Sequence, residues 1–171
     1  MERWLQIREF PRYSISDQGR ARHDESDRIM AVMKNKGGVA LVFLSRDGRQ
    51  YSRGLARLVA EHFLPHNTNE QFDTPLHLDG DRMNNAVKNL VWRPRWYAFK
   101  YQQQFEEYRP PFVDCQLIET TTQMVFANSW DATTFLGVLE RDIAKSFHKY
   151  QGGGEIEPAW PTTYCFRRYD D

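Results

Sequence analysis

An imidazole, two carboxylates and three amides fall within one short stretch, at His77, Asp79, Asp81, Asn84, Asn85 and Asn89. An imidazole can take a proton from water near neutral pH, carboxylates can hold a hard cation, and Asn side chains fold loops by bonding their own backbone. The elements around them follow from the local pattern. Thr74 to Leu78 is short and apolar enough for a strand, Asp79-Gly80 is a turn signal, and Leu90 to Arg93 is a second short strand. Pro94 suits the first position of a helix, and Arg95 to Tyr108 carries no further Pro or Gly. The expected order is strand, long loop, strand, helix.

His77, Asp79, Gly80, Asp81, Asn84, Asn85, Asn89, Leu90 and Trp92 are spaced as H-x-D-G-D-x-x-N-N-x-x-x-N-L-x-W. This resembles the HNH nuclease motif in the form found in homing endonucleases of phages and group I introns. The resemblance implies a ββα unit that pinches one divalent metal beside a scissile phosphate, with His77 as general base and Asn89 positioning it. Hydrolysis of a phosphodiester needs an activated water and positive charge near the leaving oxygen, which an imidazole and a hard cation can supply. The family places one metal ligand immediately before the base and another in the helix after the second strand. Those places hold Leu76 and, counting from Asn89, Ala98. The neighbours Trp96, Tyr97 and Phe99 also lack a carboxylate, an amide or an imidazole. No metal is therefore expected, and magnesium or manganese enters only if Asp79, Asp81 or another carboxylate replaces the missing ligands and the nuclease is active.

The rest of the chain frames this motif. Residues 1–22 alternate around Trp4, Ile7, Tyr13 and Ile15 and resemble the NUMOD4-like module that precedes HNH units, with Phe10, Ser16, Gly19 and Arg22 also in place. The resemblance makes Arg12, Arg20 and Arg22 candidate phosphate contacts. His23 to Gly38 reads as loops. Val39 to Ser45, an Asp47-Gly48 turn and Gln50 to Arg53 form a hairpin, and Leu55 to Leu64 is a helix ended by Pro65, with His62 and His66 read as structural or exposed. Arg109-Pro110-Pro111 starts a linker. Beyond it, two short strands, a helix from Trp130, a Gly137-Val138 turn and a helix from Leu139 to Tyr150 form a helix-turn-helix pattern, and the tail from Glu155 can return as a strand. It resembles the NUMOD1-like C-terminal module of the same family. The expected fold is α+β: a small β module at 1–36, an HNH ββα core at 37–109 and a helix-turn-helix-like module at 110–171.

Charge and composition narrow the partners. The chain carries 23 basic and 23 acidic residues, which argues against indiscriminate polyanion binding. The distribution is uneven, with 12 basic against 7 acidic residues in 1–60, none against 5 in 61–81, and 6 against 2 in 82–109. Basic flanks around an acidic centre suit double-stranded DNA, with Arg93, Arg95, Lys100, Arg141, Lys145 and Lys149 joining the candidate contacts. Cys115 and Cys165 stand alone, which fits a reducing compartment, and no apolar run approaches the roughly 18 residues of a membrane span. Family membership would put the protein in the cytoplasm of a bacterial host cell. Three functions are expected, in this order: a catalytically degenerate HNH relative that binds DNA or recruits a partner, an active metal-dependent nicking endonuclease, and an inhibitory module that binds a protein partner instead of DNA.

Overall fold

Alternation in residues 4–23 produces an antiparallel sheet of β1 (Trp4–Ile7), β2 (Phe10–Ser16), β3 (Ala21–His23) and β4 (Arg28–Ile29), in that order. The structure is a computed structural model and describes residues 1–65, 70–106, 109–153 and 157–169. It divides into two units, 1–98 and 99–171. In the first, β5 (Met33–Lys34), β6 (Ala40–Arg46) and β7 (Arg49–Gly54) form a second sheet. Asp47 and Gly48 have φ of 52° and 72°, the left-handed pair that a two-residue hairpin needs to match strand twist, and they set Arg46 opposite Arg49. The segment read as loops before this hairpin thus supplies β4 and β5, each two residues long and each pairing with one neighbouring strand.

Helix α1 (Leu55–Phe63) follows β7 directly. Its buried face, Leu55, Leu58 and Val59, repeats at helical spacing and packs on β1, β2, β6 and β7 as well as on β8 (Thr74–His77) and β9 (Leu90–Arg93). One core results, in which Ile7, Phe10, Ile15 and Ala21 meet Val42, Leu44, Leu58 and Leu90. Residues from both sides of position 37 therefore share the same apolar interior. His66 lies outside the described residues.

Strands β8 and β9 pair antiparallel with His77 opposite Leu90 and Leu76 opposite Val91. Helix α2 (Arg95–Gln103) completes the ββα unit and opens on the Pro94 carbonyl, which accepts from the N–H groups of Tyr97 and Ala98, both 2.9 Å away. It is shorter than expected: turn-type bonds from Phe105 to Gln102 and Glu106 to Gln103 replace the helical ladder, and Tyr108 is not among the described residues.

The second unit pairs β10 (Leu117–Glu119) with β11 (Val125–Phe126) on one side and β12 (Phe166–Arg168) on the other, so the tail does return as a strand. Helices α3 (Ser129–Leu136) and α4 (Glu140–Gln151) pack together. The Asn128 side chain caps α3 by accepting from the Asp131 N–H at 2.9 Å, and Gly137 ends it at φ 64°, where a side chain would be strained. Leu117, Phe126, Val138, Ile143, Phe147 and Phe166 fill this unit's core. Leu55→Ala, which leaves a void where α1 meets the two sheets, is expected to lower stability by about 2–5 kcal/mol, read as a lower urea midpoint at unchanged slope.

Candidate functional site

His77 ends β8 with its side chain buried, and the loop that follows is built from polar side chains bonding one another. Asp79 is the hub. Its Oδ1 accepts from the Asp81 N–H at 2.9 Å and from Asn89 Nδ2 at 2.8 Å, while Oδ2 accepts from Asn84 Nδ2 at 2.6 Å. Asn89 answers by accepting the Asp79 N–H at 3.1 Å and donating to the Asn84 carbonyl at 2.8 Å. Asp81 accepts from the Met83 N–H at 2.9 Å. Burial alone would raise the Asp79 pKa, but these donors and nearby His77 outweigh it and hold the carboxyl below 3.8.

Asn85 is the partner of His77. Its Nδ2 donates to the Met83 carbonyl at 3.0 Å and reaches the Arg82 carbonyl at 3.5 Å, which turns Oδ1 toward His77 Nε2 at 3.0 Å. Because Oδ1 can only accept, Nε2 carries the proton and Nδ1 keeps the lone pair. Burial lowers the His77 pKa below 6.5, against the opposing effects of Asn85 and Asp79. Burial thus favours the neutral imidazole, in which Nδ1 is the unprotonated nitrogen. Asn89, expected beside His77, has its side chain on Asp79 and Asn84. The role of Asn85 was missed; the signal for it was its place next to Asn84 in the motif.

The remaining predicted positions divide by environment. Leu76 is buried at 3% exposure and Ala98 is half-buried, and neither side chain has a donor atom for a cation. Among the described residues, no group of three or more His, Cys, Asp or Glu is placed to hold a metal ion. Arg12 lies 3.6 Å from Glu25, Arg20 is paired with Glu2 and sits over the Trp4 ring, and Arg22 lies 3.3 Å from Asp27 and 4.7 Å from the Trp4 centroid. Arg93 is buried and donates to the Trp92 carbonyl at 2.9 Å, whereas Arg95 is exposed at the start of α2. Two further arginines, Arg46 and Arg53, lie over the rings of both Phe10 and Tyr51.

In the second unit Lys100 is exposed, and Arg141, Lys145 and Lys149 occupy successive turns on the exposed face of α4. That face borders a hollow of about 580 Å³ shared with Phe112 and His148. Lys149 is held by Glu157 at 2.5 Å and Arg141 lies 3.7 Å from Asp142, leaving Lys145 as the cation of the three with no ion pair to a described residue.

The His77 geometry has a consequence for stability. A pKa depressed in the folded state means that, as pH falls through 6.5, the unfolded chain binds a proton the folded chain resists, so stability is lost toward acid. His77→Gln should weaken this acid-side loss, seen as a smaller drop in urea midpoint between about pH 7.5 and about pH 5.5 than in the parent chain.

Comparison with known proteins agrees with this architecture. Residues 2–45 match the NUMOD4 motif. Two Acanthamoeba polyphaga mimivirus proteins described as uncharacterized HNH endonucleases, L247 and L245, are 32% identical over 92 residues and 31% identical over 90. Those segments are 54% and 53% of this chain, and they span 23% and 26% of the relatives. The chain thus matches about a quarter of the length of either viral protein. A solved structure, "DNA binding and cleavage by the HNH homing endonuclease I-HmuI", aligns over 99% of both chains with a TM-score of 0.53 at 18% identity, a likeness of fold. The chain thus carries a NUMOD4 motif, resembles HNH endonucleases in sequence over about half its length, and shares the fold of an HNH homing endonuclease.

Proposed function

We propose that this protein binds double-stranded DNA through its basic surfaces and does not cleave it by the metal-dependent route. The observation that carries the reading is the pairing of an assembled base with hydrocarbon at both places where the resemblance puts metal ligands: Leu76 precedes His77, and Ala98 stands in α2. A divalent cation such as magnesium needs oxygen ligands, and methyl groups cannot stand in for them. Asp79 is no ready substitute, since three donors already occupy its carboxylate. The residues around His77 therefore do not fit a divalent ion. DNA as ligand is supported by the basic face of α4, by the arginines of the first unit, and by the DNA binding described for the I-HmuI endonuclease.

A second reading, a nicking endonuclease, is favoured by the neutral His77, whose Nδ1 could take a proton from water. The two separate in one assay. With magnesium or manganese, the parent chain should leave supercoiled plasmid intact, and the double variant Leu76→Asp, Ala98→Asn should nick it. Nicking by the parent chain that His77→Ala abolishes would instead establish the enzyme. For binding, affinity for duplex DNA should fall linearly with salt on logarithmic axes, with a slope of about −0.9 per phosphate neutralised. A flat salt response would favour a protein partner.

A further inference from the structure

The turn at Asp17–Arg20 lies outside the HNH motif yet touches it at the residue that holds His77. Gly19 has φ of +79°, and a Cβ added there would stand 2.7 Å from Asn85 Cβ and 2.9 Å from both the carbonyl carbon and oxygen of Asn85. Real atoms do not approach so closely, so the Gly19 backbone itself fills the space against Asn85. Two residues further along the loop, the Val87 N–H donates to the Asp17 carbonyl at 2.8 Å. The turn is thus fastened to the 85–87 segment at two points. The turn is itself stiff. The Gly19 N–H donates to the Ser16 carbonyl at 3.1 Å, Ser16 Oγ accepts from the Arg20 N–H at 3.0 Å, and Arg3 Nε holds the Asp17 carboxylate at 3.1 Å.

We infer that this turn of the N-terminal module is a positioning element for His77: by wedging Gly19 against Asn85 and bonding Val87, it keeps the Asn85 carbonyl oxygen on His77 Nε2, so that Nδ1 remains the proton-accepting nitrogen. Asn85 is buried, and its amide is already committed to the Met83 carbonyl on the other side, so a shift of its backbone has no slack to absorb it. In a hydrolytic step, the proton leaving water goes to Nδ1, and the proton on Nε2 stays in its bond to Asn85. The inference rests on the reading of His77 as the retained base, but its structural content does not require that cleavage occur.

The experiment uses the full chain labelled with nitrogen-15, observed at neutral pH. The Nε2–H of His77, buried and bonded to Asn85, should appear as a directly observed imidazole proton, assigned by its disappearance in His77→Gln. In Gly19→Ala and in Val87→Pro it should exchange with solvent at least about tenfold faster, as local opening becomes easier. Val87→Pro is the safeguard if Gly19→Ala does not fold. It removes one N–H at a position preceded by extended backbone, φ −61° and ψ 138° at Ala86, which a following proline tolerates. Absence of the proton signal in the parent chain, or unchanged exchange in either folded variant, overturns the inference. DNA binding is measured separately on the parent chain. Its failure would sink the proposed function while leaving the exchange result intact.

Discussion

A turn that must reverse the chain between β8 and β9 needs internal partners for its polar groups, and the exposed Asp79 carboxylate takes three donors from the loop that its own turn opens. Removing one donor would loosen the loop, since water can solvate the exposed carboxylate but cannot hold Asn84 and Asn89 in place around it. The whole of residues 77–89 is therefore held as a unit. Asn84 and Asn89 are drawn toward Asp79, the 3-10 turn at Val87–Asn89 falls into place, and β9 begins in register with β8. With Asn89 committed to Asp79, the amide left for the imidazole is that of Asn85. The site's architecture is in this sense a consequence of satisfying one charge.

Much of this was legible in the amino-acid sequence. The strands on either side of the loop, the Asp-Gly turn, the hairpin at Asp47-Gly48 and the start of α2 after Pro94 all carry local signals, because turn chemistry and proline geometry act over a few residues. The choice between Asn85 and Asn89 as the partner of His77 was not legible. Both are amides in one loop, and their roles are set by which carbonyls and carboxylates the folded loop brings within 3.5 Å, including the Met83 carbonyl that orients Asn85. Likewise, the resemblance to the N-terminal module makes Arg20 and Arg22 candidate phosphate contacts. It does not reveal that Glu2, Asp24 and Asp27 meet them or that both lie over Trp4.

The second unit repeats the principle with a different residue. Glu140 opens α4, where sequence logic reads an acid favoured by the helix dipole. Its side chain is fully buried, and it accepts from Ser129 Oγ at 2.6 Å and the Phe112 N–H at 2.9 Å while meeting Arg109 at 2.6 Å. It therefore ties three separated stretches of chain together: the segment after α2, the start of α3 and the start of α4. Arg109 lies over the Phe112 ring, 3.7 Å from its centroid, so the linker that two prolines would otherwise leave extended is anchored to the helices. A dipole effect alone would be worth well under what such a buried network costs to break.

The ion pairs on the basic surfaces bear on selectivity. A polyanion that approaches Arg20, Arg22 or Lys149 meets cations that already hold Glu2, Asp27 or Glu157. To bind, it must displace an internal carboxylate as well as mobile counterions, so part of each new contact is cancelled by the one it replaces. Such a surface has low general stickiness. Within either unit it would reward a ligand whose phosphates exchange several pairs at once, so that discrimination by shape needs no net positive charge on the chain.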